Sequence, residues 1–254
     1  HIERFKNLQG VVETKCELYQ HIKEKNGMLF VNAEDQILLQ KSKAINRKTY
    51  GKNENINLIN SGYFITLNYN NNIIKSNLLG DYQYYNLMLT IAIGTYFKVP
   101  IKMIKKSIKN YFPKNNRSQI VKTDNNTIIL DAYNANPSSM IKSLEGFIGF
   151  CHDKSISFDE CLFVLGDMNE LGSESESFHE EIGRFMLEKE ITKTLFIGKY
   201  APAYQSGFLK KSLMFQSVED FRPFWKEEQE KFKYFFIKAS RSLQLESLMD
   251  ITFD

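Results

Sequence analysis

The chain has 254 residues, enough for one large or two ordinary domains, with 43% apolar and 25% charged residues, an ordinary balance for a globular core. A formal charge of +3, with Lys and Glu mixed along the helical stretches, gives no reason to expect a nucleic-acid partner. No apolar run reaches the roughly 18 residues of a membrane span, the amino terminus HIERFKN is unlike a signal peptide, and three cysteines without metal spacing suit reduced thiols, so a cytoplasmic setting is expected.

Along the first part, Val11, Val12, Leu18 and Ile22 recur at helical spacing, and Lys15 lies on the same stretch. Asn26-Gly27 signals a turn before Met28-Leu29-Phe30-Val31, a short strand running into Asn32-Ala33-Glu34-Asp35, where Asp35 suits the N-cap of a helix around 37–44. From Thr49 to Leu79 the pattern breaks into Leu58-Ile59, Tyr63 to Leu67 and Ile73-Ile74, read as antiparallel strands meandering at a sheet edge, with Asn68 to Asn72 as a hairpin loop. Residues 87–97 are apolar all round the helical wheel, which predicts a buried helix. Pro100 opens a further helix with Ile101, Ile104 and Ile108 on one face.

Pro113-Lys114-Asn115-Asn116-Arg117-Ser118-Gln119 is polar and turn-rich, the best domain boundary in the chain. Beyond it, Thr127-Ile128-Ile129-Leu130 is a strand ending on Asp131, then Ala132-Tyr133-Asn134-Ala135 leads to Asn136-Pro137, an N-cap with proline at the first helical position. Met140, Ile141, Leu144, Phe147 and Ile148 mark that helix. Cys161 to Leu165 is a second buried strand, followed by Gly166-Asp167-Met168-Asn169-Glu170-Leu171-Gly172 and a helix bearing His179. Strands at 195–198, 213–215 and 234–238 with helices between them predict a mostly parallel sheet, whose ligands gather at the carboxyl ends of its strands.

The run Asp131 to Met140 together with Leu165 to Gly172 resembles the carboxy-terminal domain of Mur ligases, and the resemblance extends along nearly all of the chain while covering about the later half of that family's architecture. It implies a fold in which residues 1–113 are part of a central ATPase-type α/β domain and residues 114–254 a Rossmann-like, mostly parallel α/β domain. It implies an ATP-dependent ligase of peptidoglycan precursor synthesis that joins UDP-N-acetylmuramoyl-tripeptide to D-Ala-D-Ala, as a monomer in the cytoplasm, with ATP and Mg2+ as cofactors. By the same likeness His1 ligates Mg2+ and Lys15 is carbamylated into an oxygen ligand, which suits a hard cation. Asn86 matches an adenine-binding asparagine, Gln83 departs from a second asparagine, and Arg117 matches an arginine that reaches ATP, where a planar guanidinium can bind phosphate oxygens in pairs. Asp131, Tyr133 and Asn134 complete the expected nucleotide contacts, and Asn136 and Ser139 the substrate contacts.

From these residues Asp131 is expected to take two ribose hydroxyls and to tolerate Asp131→Asn without loss of fold, with nucleotide drawing the two domains together. Lys238-Ala239-Ser240-Arg241-Ser242 resembles a family loop with glycine at the positions of Ala239 and Ser242, so positive φ there would cost ~1 kcal/mol. No G-x-x-x-x-G-K-[ST] loop occurs, and the phosphate-cradling loop is expected upstream of His1, leaving this chain inactive alone. A non-catalytic nucleotide- or partner-binding module is the alternative.

Overall fold

The computed structural model describes residues 7–51, 55–60 and 64–249, so His1 and Tyr63 lie outside the described residues. The chain forms two units, His1–Tyr111 and Phe112–Asp254. No described helix is long and apolar enough to cross a membrane.

In the first unit, helix α1 (Leu8–Glu24) starts at Asn7, whose side chain accepts the Gly10 N–H. Val11, Val12 and Ile22 are half-buried, but Leu18, which shares their face by spacing, is 59% exposed. Strand β1 (Leu29–Asn32) pairs in parallel with β2 (Arg47–Tyr50) across α2 (Gln36–Lys41), and the Asp35 side chain caps α2 by accepting the Leu38 N–H. Among the described residues the strand-like pieces that follow form a separate three-stranded sheet rather than the edge of a larger one: β3 (Ile56–Asn60), β4 (Thr66–Tyr69) and β5 (Asn72–Lys75) run antiparallel in that order. Their expected five-residue loop shrinks to Asn70-Asn71, both with left-handed backbone, which matches the twist of a two-residue hairpin.

Helix α3 (Tyr84–Tyr96) was expected to be buried on all sides, and it is not. Tyr84, Leu87, Met88 and Ile91 pack with Ile65, with Leu67 and Ile74 of the small sheet and with Ile104 and Ile108 of α4 (Ile101–Asn110). Ile93, Tyr96 and Phe97 on the other side are exposed, because in the described unit the three-stranded sheet covers one face only.

The second unit is built on six strands: β6 (Gln119–Lys122), β7 (Thr127–Asp131), β8 (Cys161–Gly166), β9 (Thr194–Ile197), β10 (Leu213–Phe215) and β11 (Tyr234–Lys238). Their order is β10-β9-β8-β11-β7-β6, parallel throughout except for β6, which pairs antiparallel with β7. The antiparallel β6 is absent from the sequence reading, since Gln119-Ile120-Val121-Lys122 offers only two apolar residues to a pattern search.

Both faces of the sheet are covered, which is why the central strands read as unbroken apolar runs. On one face Ile128, Leu130, Leu162, Val164, Phe235 and Ile237 meet Phe221 and Trp225 of α8 (Val218–Lys231), with Leu245 and Leu248 beyond β11. On the other, Phe147 of α5 (Pro137–Asp153) lies 5.2 Å from the Phe163 ring and 5.3 Å from the Phe236 ring. Fully burying each such ring contributes roughly 1.5–3 kcal/mol.

Helices α6 (Ser175–Glu188) and α7 (Ala201–Phe208) approach backbone to backbone. A Cβ on Gly183 would collide with the Tyr204 carbonyl, and one on Gly207 with the Glu180 carbonyl. Backbone cannot swing aside as a flexible side chain can, so Gly207→Ala should lower stability by about 3 kcal/mol, at the upper end of overpacking costs. Denaturant melts check this, and a Gly207→Ala protein within about 0.5 kcal/mol of the parent would show that the helices separate freely.

Candidate nucleotide and substrate site

Asp131 ends β7 and Lys238 ends the neighbouring β11, and the parallel register sets the two residues side by side. Lys238 Nζ donates to Asp131 Oδ2 at 2.6 Å and to the Asn134 carbonyl at 3.1 Å, with only 2% of the lysine exposed. Ser143 Oγ on α5 also donates to Asp131 Oδ2, at 2.8 Å, and the Ser118 N–H donates to Asp131 Oδ1 at 2.9 Å. A carboxylate has about four acceptor positions, and three are taken here. Asp131 therefore retains room for one hydroxyl rather than the two expected from the sequence. Nor is it a free-standing ligand contact, since its charge neutralises a buried ammonium.

The segment before β6 is bound to this carboxylate. Asn115, Asn116 and Ser118 adopt left-handed backbone, with φ of 57°, 61° and 45°, and Arg117 stands among them. The Tyr133 N–H donates to the Asn116 carbonyl at 3.1 Å. The Arg117 guanidinium stacks on the Tyr133 ring, 3.7 Å from its centroid, and Arg241 lies 5.4 Å from the same centroid. Arg117, Tyr133, Asn134 and Arg241 are exposed, whereas Asn116 is buried with its Oδ1 meeting no hydrogen-bond partner among the described residues.

Asn136 and Ser139 form a capping box at the start of α5: Asn136 Oδ1 accepts the Ser139 N–H at 2.9 Å, and Ser139 Oγ accepts the Asn136 N–H at 3.0 Å. Both side chains are committed to starting the helix, which limits what either can offer a substrate.

The loop after β8 is latched to the loop after β11. The Asp167 carbonyl accepts the Ser240 N–H at 2.9 Å, Ser240 Oγ accepts the Asn169 N–H, and Asn169 Nδ2 donates to Ser242 Oγ. The Asp167 carboxylate accepts the Lys199 and Tyr200 N–H groups, each at 2.9 Å, at the entrance to α7. Ala239 and Ser242 have no positive φ, so the strain considered for them does not arise; the left-handed residue is Gln244, at 49°. His179 is fully buried: its Nε2 accepts the Met168 N–H at 2.9 Å, its Nδ1–H donates to the Ser175 carbonyl at 2.5 Å, and its ring stacks on Tyr200. Those partners assign the neutral tautomer, and burial holds its pKa below the usual histidine value.

In the first unit, Lys15 is exposed on α1 without a hydrogen bond or ion pair to another described residue. Asn86 is exposed near the start of α3, and its Nδ2 donates to Gln83 Oε1 at 2.7 Å, so the longer amide of Gln83 holds Asn86 in place. Among the described residues no group of three or more His, Cys, Asp or Glu side chains stands together to hold a metal. Lys238, Ser143, Ser118 and Arg241 escaped the sequence reading as members of the site. Two signals were available: two apolar strands end on opposite charges, and Lys238 to Ser242 resembles a family loop.

The geometry is that of an α/β domain with its polar groups collected at the carboxyl ends of parallel strands. Residues 1–94 match the Mur ligase middle domain and residues 116–224 the glutamate ligase domain of Mur ligases, and the chain belongs to the Mur ligase family. It is 28% identical over 268 residues to the UDP-N-acetylmuramoyl-tripeptide--D-alanyl-D-alanine ligase of Bacillus subtilis, covering 98% of this chain and 56% of that protein. To the ligase of the same name from Rickettsia prowazekii it is 26% identical over 275 residues, covering 98% and 58%. Among solved structures, MurF from Acinetobacter baumannii superposes with a TM-score of 0.77 at 23% identity, over 98% of this chain and 56% of that one. The MurF ligase of Thermotoga maritima, in complex with ADP, does so at 0.78 and 20% identity, over 98% and 58%. These structures establish the fold. The chain spans just over half the length of the curated relatives it matches.

Two predictions come from this geometry. Asp131→Asn should cost about 3 kcal/mol, because it strands the Lys238 charge in the interior, and adding Lys238→Met should recover about 2 kcal/mol of that loss. Urea melts of both single variants and the double variant test this; an Asp131→Asn protein as stable as the parent removes the ion pair from its structural role.

For His179 the folded pKa lies below the unfolded value of 6.5, so the unfolded chain takes up the proton first as pH falls. Its stability contribution is complete above the unfolded pKa and is lost as pH drops from 6.5 towards the lowered folded value. Between about pH 7.5 and about pH 5.5 the parent should lose stability more steeply than His179→Gln, which is weaker at neutral pH but flatter. Parallel slopes in melts across that range would exclude a buried neutral His179.

Proposed function

We propose that this chain works as part of an ATP-dependent ligase that joins D-Ala-D-Ala to UDP-N-acetylmuramoyl-tripeptide in cytoplasmic peptidoglycan synthesis. What carries the reading is that 98% of the chain matches relatives of that name while the motif run from Asp131 to Ser139 sits at the carboxyl ends of a parallel sheet. Residues 1–113 act as part of the central domain and residues 114–254 as the carboxy-terminal domain.

The residues present suit a nucleotide. Arg117 is exposed, always charged and has a planar donor fork for phosphate oxygens. Asp131 has one acceptor position left for a ribose hydroxyl, and Asn86, held by Gln83, offers its carbonyl to the adenine amino group. Tyr133 and Asn134 complete the nucleotide contacts, and Asn136 and Ser139 lie where substrate meets the start of α5. ATP, when bound, supplies the phosphoryl group that turns a peptide carboxylate into an electrophile for the dipeptide amine. By the family likeness His1 and Lys15, as a carbamate, would hold Mg2+, which would offset charge on the phosphate oxygens.

A protein that extends this chain upstream through a Gly-Lys-Thr/Ser loop should convert the tripeptide precursor, D-Ala-D-Ala and ATP to the pentapeptide precursor with release of phosphate. The 254-residue chain alone should release none, because positioning and charge neutralisation at the phosphates supply most of phosphoryl-transfer catalysis. In the extended protein Lys15→Ala should lose most activity and regain part of it with a short carboxylic acid. An extended protein that makes no pentapeptide overturns the ligase reading; a fully active Lys15→Ala variant removes only the carbamate.

A further inference from the structure

Every guanidinium in the described residues but two is engaged with protein oxygen. Arg47 donates to the Leu39 carbonyl and Ser42 Oγ, Arg184 pairs with Glu180, and Arg222 donates to the Ser247 carbonyl and hydroxyl. Arg117 and Arg241 make no hydrogen bond or ion pair to another described residue through their side chains, and both lie against one ring, that of Tyr133. Two like charges gathered at one aromatic ring, each keeping its donors unused by the other described residues, are costly by repulsion and suit a multiply charged anion.

The fold explains the convergence. Arg117 precedes β6, Tyr133 follows β7 and Arg241 follows β11, and β7 and β11 are neighbours. The chain leaving β7 passes into α5 on the Phe147 face, whereas the chain leaving β11 carries Leu245 and Leu248 to the α8 face. Adjacent parallel strands whose continuations part to opposite faces leave a crevice at their carboxyl ends, the usual ligand position in open α/β sheets. The approach is also held rigidly. Lys238 ties β11 to Asp131, Ser118 is bonded to the same carboxylate, and the Asn116 carbonyl takes the Tyr133 N–H. The backbone strain at Asn115, Asn116 and Ser118 falls on the segment that delivers Arg117.

We propose that Arg241 is the second arm of an oxyanion clamp with Arg117, with Tyr133 as the platform that holds both guanidinium forks towards one phosphate or carboxylate group. The inference rests on the reading of Arg117 as an anion contact and adds a residue to it. The shared chemistry is that of an oxyanion with two or more oxygens, supplied either by the phosphates of a nucleotide or by the carboxylate of a peptide substrate.

Titration calorimetry on the 254-residue chain tests it with four probes: inorganic tripolyphosphate, ADP, D-Ala-D-Ala and the carboxy-terminal amide of that dipeptide. Arg241→Gln should weaken binding of the recognised probe at least tenfold without changing the melting temperature, Arg241→Lys should bind with intermediate affinity, and Arg222→Gln should bind as the parent does. Arg241-dependent binding of tripolyphosphate or ADP assigns the clamp to phosphate. Arg241-dependent binding of the dipeptide but not its amide assigns it to a carboxylate. Arg241→Gln binding every probe as the parent does overturns the proposal, even where Arg117→Gln loses binding and the reading of Arg117 stands. A parent chain that binds none of the four overturns it as well, whereas tripolyphosphate binding without ADP binding upholds the clamp and rejects the nucleotide reading.

Discussion

A lysine ammonium with 2% of its surface exposed cannot remain charged in the interior without a partner, and Lys238 finds that partner in Asp131 at 2.6 Å. Because each residue ends its strand, the pair fixes the ends of β7 and β11 to one another at the edge where the loops begin. The same carboxylate binds the backbone of Ser118 and the hydroxyl of Ser143, and the same ammonium binds the Asn134 carbonyl. The stretch from Ser118 to Ser143 and the distant end of β11 are thereby held by one charge pair, and Arg117, Tyr133 and Arg241 are presented from those segments. A ligand-facing role for Asp131 has to be shared with this structural one.

A second anchor lies one strand further along the sheet. The Gly166-Asp167-Met168 turn is part of the run that carries the family resemblance, and its acidic side chain is committed to the Lys199 and Tyr200 N–H groups and its Met168 N–H to His179. Gly198, at φ 119°, is required beside it, since a Cβ there would strike the Asp167 carboxylate. Through Ser240 and Asn169 this turn also fixes the loop that carries Arg241. Small residues are needed where these loops touch, but glycine is not: Ala239 and Ser242 fit with ordinary backbone.

The segment from Asn115 to Ser118 illustrates strain set beside a candidate site. Asparagine tolerates left-handed backbone because its short amide can bond locally, whereas Ser118 there costs roughly 1 kcal/mol. The hydrogen bond from the Ser118 N–H to Asp131 offsets that cost and directs Arg117 onto the Tyr133 ring.

Local chemistry alone determined much of this protein. Apolar runs bounded by turn residues marked β7, β8, β9 and β11, Asn136-Pro137 marked the start of α5, and the alternation of strands with helices implied the parallel sheet. These are legible because periodicity and capping act over a few residues. Only the tertiary structure decided that β11 enters between β8 and β7, and therefore that Lys238 meets Asp131 across 107 positions and Arg241 shares a ring with Arg117. The one-sided burial of α3 and the separate β3-β4-β5 sheet were decided the same way. Burial and partnership are properties of whatever surface packs opposite a residue, and the order in which strands insert into a sheet leaves no mark in any single stretch of chain.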